Sequence, residues 1–261
     1  MSTIFALAGI VIKELYRRKD FYVLFVLTAV ITVLMASVNF FNEDKIVRYL
    51  KDISLLLIWI SSLVIAVGTA ARQIPAERES RTIFPLLAKP VTRWQVIVGK
   101  FFGCWLACGI ALAVFYLFFA AVSGAKQGSL SALPYFQAFW LHWVMLAVVV
   151  GMVLFGSVIF SAPSSNATIC FVIIVGIFVL GGYLNKLAGT QPAPLSLLIS
   201  VIYFLIPHLE WFFGSRERLV FEQGLIAWGD CGMATLYVVA YVSLLLFLTW
   251  LVFRRKILTV G

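Results

Sequence analysis

Six stretches of this chain are apolar for long enough, or nearly long enough, to cross a bilayer, and none holds an aspartate or glutamate. They fall at 21–41, 53–71, 98–123, 139–161, 168–184 and 232–253. A helix needs about 20 apolar residues to cover a hydrocarbon core, where every backbone N–H and C=O must find its partner within the segment. The charge content agrees: 12% of the 261 residues are charged and 63% are hydrophobic, whereas soluble domains run near a quarter charged. A water-soluble fold of this size has too little interior to hide so much apolar surface. The expected fold is therefore all-α: one polytopic membrane domain over 1–261, with six transmembrane helices.

Basic residues set the orientation, because they hold loops on the cytoplasmic side. With six spans, thirteen of the twenty fall on one side. They are Lys13, Arg17, Arg18 and Lys19 before the first span, Arg72, Arg78, Arg81, Lys89, Arg93 and Lys100 around the second loop, and Arg254, Arg255 and Lys256 in the tail. Both termini are thus expected in the cytoplasm. The net charge of +9 reads as topology rather than as a nucleic-acid surface. Lys100, at the edge of the third window, is expected to snorkel to the interface.

Residues 3–19 read as an amphipathic helix along the inner membrane surface, since Ile4, Leu7, Ala8, Val11 and Leu15 recur at helical spacing. A plain extension of the first span is the alternative. The thirteen apolar residues at 195–207 are short for a span and are followed by His208 and Glu210. They suit an interfacial or re-entrant segment within a long outer loop, 185–231.

The longest inner loop, 72–100, reads RQIPAERESRTIFPLLAKPVTRWQVIVGK. A mere connector would be short and polar. This one clusters Glu77, Arg78, Glu79 and Arg81, then Ile83, Phe84, Leu86 and Leu87, with Pro85 and Pro90 as breaks and Thr92 placed to cap the next helix. A short amphipathic helix at the membrane surface, suited to docking a cytoplasmic partner, is expected within 72–97.

The run Glu77-x-Glu79-x-x-Thr82, then Leu86 to Arg93, then Gly99 to Phe101 resembles the signature of ABC-2 type transporter permeases. The resemblance is tight over 72–103 and loose over the rest. Ser80-Arg81 departs from it, where the family often has a glycine before the threonine. It implies a coupling helix seated in an ATPase subunit, with Glu77, Arg78, Glu79, Arg81 and Thr82 at the docking face. Pro90, Thr92 and Arg93 would make the stiff join to the third span. It further implies ABC-type ATPase partners, a second permease chain as homodimer or similar protein, membrane lipid around both, and the bacterial cytoplasmic (inner) membrane. The expected function is the permease subunit of an exporter. A non-transporting membrane scaffold that docks a cytoplasmic protein is the alternative.

Catalytic motifs are missing. Gly99-Lys100 lacks the preceding glycine of a phosphate loop and Phe101 takes the Ser/Thr place, so ATP and Mg are expected on a partner and no cofactor in this chain. There is no H-E-x-x-H and no G-x-S-x-G. His142 is expected as a hydrogen-bonded interface residue, and His208 with Glu210 as a polar edge rather than a metal or proton site. Cys104 and Cys108 share a helix face. That suits a soft-metal pair or close helix packing, and the nearby Gly103, Ala107 and Gly109 favour packing. Acid-free spans are unlike ion-coupled carriers, which place ionisable groups in the membrane.

Overall fold

The computed structural model describes residues 2–17, 19–37, 43–79, 92–127, 132–190, 192, 195–221 and 223–255. Helices account for nearly all of them, and no strand occurs among the described residues. In chain order they are α1 (Ser2–Arg17), α2 (Lys19–Ser37), α3 (Glu43–Ala70), α4 (Pro75–Glu79), α5 (Arg93–Gln127), α6 (Ala132–Ile159), α7 (Pro163–Ala188), α8 (Leu195–Leu205), a 3-10 turn (Leu209–Phe212), α9 (Phe213–Phe221) and α10 (Trp228–Arg255).

Five helical stretches are long and apolar enough to cross a membrane: Val47–Arg78, Arg93–Lys126, Ala132–Ile159, Pro163–Leu184 and Trp228–Arg255. The first window is shorter than expected, with an apolar helix of Phe21–Ser37. The second is longer. Its charged N-terminal flank is helical from Glu43 and continues unbroken into the apolar run. The reason lies in contacts made across the fold: Asp52 pairs with Arg216 of α9, and Arg48 lies 5.0 Å from the centre of the Phe221 ring.

α6 is the hub. It packs on α3, α5, α7, α9 and α10, and most of its side chains from Leu141 to Val158 are buried. α5 and α6 are held by a reciprocal clasp. Trp105 Nε1 donates to the Trp143 carbonyl at 2.9 Å, and Trp143 Nε1 donates to the Trp105 carbonyl at 3.1 Å. The two rings stack at 4.6 Å. Gly109 makes room, because a Cβ there would lie 2.3 Å from Trp143 Nε1. Cys104, Ala107 and Cys108 are all buried in the core, as small residues between helices in lipid are expected to be.

α1 packs closely on α5. Leu7, Ala8 and Val11 are buried, while Phe5 and Ile10 face outward. Gly99 and Gly103 let the backbones approach: a Cβ on Gly103 would lie 3.0 Å from Ala8 Cα and 2.8 Å from Val11 Cβ. α1 is therefore amphipathic, as its pattern predicts, and its inner stripe is spent on a neighbouring helix.

The stretch 195–221 is two helices bent by 59°. Pro207 supplies the break, since proline has no N–H to continue the ladder and disfavours helix at the residue before it. Pro207, His208 and Leu209 at the bend are buried. Tyr237 hydroxyl accepts from the His208 N–H at 3.0 Å, and Tyr241 donates to the Leu205 carbonyl at 3.2 Å. Those tyrosines sit about two and a half to three and a half turns below the start of α10.

Candidate functional site at the base of the bundle

The helix that follows the long loop starts with a reciprocal cap. Thr92 N–H donates to Gln95 Oε1 at 2.9 Å, and Gln95 N–H donates to Thr92 Oγ1 at 3.3 Å. This is a capping box built on Thr-x-x-Gln, and it satisfies two donors that a helix start otherwise leaves open. Thr92 thus caps α5 as its sequence position predicts.

Arg93 reaches across to the last helix. Its Nη1 donates to the carbonyls of Phe253 at 2.9 Å and Arg254 at 3.0 Å, and its guanidinium lies 5.6 Å from the centre of the Phe253 ring. A cation on the final carbonyls of a helix suits both the open acceptors and the negative end of the helix dipole. The start of α5 is therefore fastened to the end of α10.

The other side of the loop is fastened as well. Lys100 is buried, and its Nζ donates to the Gln73 carbonyl at 2.7 Å, to Gln73 Oε1 at 3.3 Å and to Glu77 Oε1 at 2.7 Å. Gln73 in turn donates from Nε2 to the Thr69 carbonyl. Lys100 is thus not a snorkelling lysine. Two turns into α5 it has neighbours on the α3–α4 corner that satisfy it more directly than the interface would. The 71–79 corner keeps its own helical bonds, Ala76 to Arg72 and Arg78 to Ile74. Asn166, at the start of α7, adds a third tie through bonds from Nδ2 to the carbonyls of Ala71 and Val153, each 3.2 Å.

Among the expected docking residues, Glu77 turns one oxygen inward to Lys100, and its Oε2 has no hydrogen-bond partner among the described residues. Arg78 is partly buried, and its Nε and Nη2 have no hydrogen-bond partner among the described residues. Glu79 ends α4. Arg81, Thr82 and Pro90 lie outside the described residues. The loop is thus defined at its two roots, Gln73–Glu77 and Thr92–Arg93.

A second polar group lies deep in the bundle. His142 is fully buried, with Nε2 2.9 Å from Ser62 Oγ and Nδ1 3.3 Å from the Tyr116 hydroxyl. Its ring stacks on Trp59 at 4.3 Å, and Trp59 stacks on Phe213 at 4.5 Å. His142 is hydrogen-bonded, and it lies between helices, where it joins α3, α5 and α6. His208 and Glu210 differ from expectation. His208 is 6% exposed, and Glu210 lies with Oε1 3.6 Å from His208 Nδ1, against Gly181 of α7. They are an interior pair and not a polar edge, because the bend at Pro207 turns them into the bundle.

Sequence reasoning missed the partner of Lys100, the Arg93 clamp and the depth of Glu210. Only the first left a signal: a lysine amid apolar residues calls for a buried acceptor, and the one acid-rich segment nearby was 77–79.

An all-helical bundle whose helices are long and apolar enough to cross a membrane defines a membrane protein. The chain belongs to the ABC-2 family transporter protein family, whose pattern it matches over residues 6–256. It is accordingly a multi-pass membrane permease of an ABC transporter, and such permeases normally work with an ATPase subunit. No curated protein matches the chain at a significant level.

Proposed function

We propose that the chain is the permease subunit of an exporter, driven by a separate ATP-binding subunit through residues 76–93. The observation that carries this reading is the bracing of both loop roots. Lys100 and Asn166 tie the 71–77 corner to α5 and α7. Arg93 ties the start of α5 to the end of α10. A push on the loop then moves several helices together, because packed interiors shift as units rather than deform continuously. Glu77, Arg78, Glu79, Arg81 and Thr82 form the docking side in this reading, and Pro90, Thr92 and Arg93 the join.

Two such chains would enclose the path, with two ATPase subunits beneath and ATP and Mg held there. The helices bearing both termini pack at the same end of the bundle as the loop roots: α1 against Gly99 and Gly103, and the end of α10 against Arg93. That supports placing both termini in the cytoplasm of a bacterial inner-membrane protein, with α2, α3, α5, α6, α7 and α10 as the six crossings.

The test is co-expression with a candidate ATP-binding cassette subunit from the same genome. The cassette should co-purify with the wild type and not with the double charge reversal Glu79→Lys, Arg81→Glu. Undiminished capture by the reversed protein would refute the docking assignment. A cassette that binds but whose ATP hydrolysis moves no cargo in vesicles would leave the scaffold reading in its place.

A further inference from the structure

A cavity of about 460 Å3 opens at the end of the bundle away from the loop, between α6, the 3-10 turn and the first turns of α10. Its floor is apolar: Leu141 and Phe212 are buried, with Met233 at the rim. Its walls are two aromatic rings, Trp211 and Tyr237, with centroids 5.7 Å apart and planes tilted by 45°. One carboxylate, Asp230, stands beside them in the exposed first turn of α10.

The two rings are held in place from behind. Trp211 packs on the His208 imidazole at 4.7 Å, and the Tyr237 hydroxyl accepts from the His208 N–H. Trp211 is nonetheless 59% exposed, a large aromatic surface kept open. Asp230 makes no ion pair with any described basic residue. An acid in a first turn also suits the helix dipole, but that role asks for neither the open indole nor the cavity.

We propose that this cavity binds the ammonium headgroup of a membrane lipid. Ring faces carry negative potential and attract a cation over them, and Asp230 supplies the opposite charge. The apolar floor accepts the methylenes next to the head. An anionic headgroup would lose the attraction to the ring faces and would meet repulsion at Asp230. This assignment does not depend on the direction of transport or on ATPase coupling.

The experiment is native mass spectrometry of the full chain in dodecyl maltoside. Phosphatidylethanolamine, phosphatidylcholine and phosphatidylglycerol of matched acyl chains are added in turn. The wild type should retain the two ammonium-headed lipids at least about twofold over phosphatidylglycerol, the low end of what one cation–aromatic contact gives. Asp230→Asn and Trp211→Ala should each bring that ratio close to one, and Asp230→Glu should keep it. Tetramethylammonium should displace the ammonium-headed lipids from the wild type, a readout that needs no variant to fold. A wild-type ratio of one, an unchanged ratio in Asp230→Asn, or no displacement by tetramethylammonium overturns the proposal.

Discussion

Removing the charge of Glu77 or of Lys100 should destabilise the loop root by unequal amounts, and the inequality can be worked from the geometry. In Glu77→Gln the Lys100 ammonium loses its 2.7 Å carboxylate but keeps the Gln73 carbonyl at 2.7 Å and Gln73 Oε1 at 3.3 Å. The cost is then that of one charge-assisted hydrogen bond, about 1.5–3 kcal/mol. In Lys100→Met the Gln73 carbonyl and the Glu77 carboxylate both lose their donor. Glu77 has a side-chain exposure of 25% and recovers some water. A cost of about 2–4 kcal/mol follows, at or just below the range for breaking a buried pair. The double variant carries neither charge and should cost less than the two single costs together, by about 1–3 kcal/mol of coupling. Reversible unfolding in mixed dodecyl maltoside and dodecyl sulfate micelles measures all four proteins. Additivity within about 0.5 kcal/mol would mean that the two groups do not meet, and the account of the loop root would fail.

Other expected outcomes follow from the helix contacts. Gly103→Leu should lift α1 from α5, since even a Cβ would press on the Ala8 backbone; a cysteine at Val11 should become labelled by a thiol reagent in that background and not otherwise. Gly109→Ala should break the tryptophan clasp at a cost of about 1–3 kcal/mol, read as loss of the near-ultraviolet circular dichroism of the stacked rings. Thr92→Ala should cost about 0.5–2 kcal/mol through the cap, with faster amide exchange confined to the first turn of α5. Arg93→Ala should speed amide exchange in the last turn of α10, 160 residues away in sequence, while leaving that of α7 unchanged.

The sequence by itself determined the class of fold. Apolar runs of fixed length must be helices in lipid, because only a helix satisfies its own backbone there. The Thr92 cap was legible because capping is local and needs only four consecutive residues. So was the loop that marks the family, whose motif is contiguous. The fate of single charges was not legible. Lys100 reads as a residue at the edge of a span until Gln73 and Glu77 are brought to it from another helix. Glu210 reads as part of an outer loop until the bend at Pro207 carries it against Gly181. Arg93 reads as one of thirteen inner-side bases until the end of α10 arrives beside it. Burial and partnership of an ionisable group depend on which helix faces meet, and that is decided by packing over the whole bundle rather than by any periodicity within one helix.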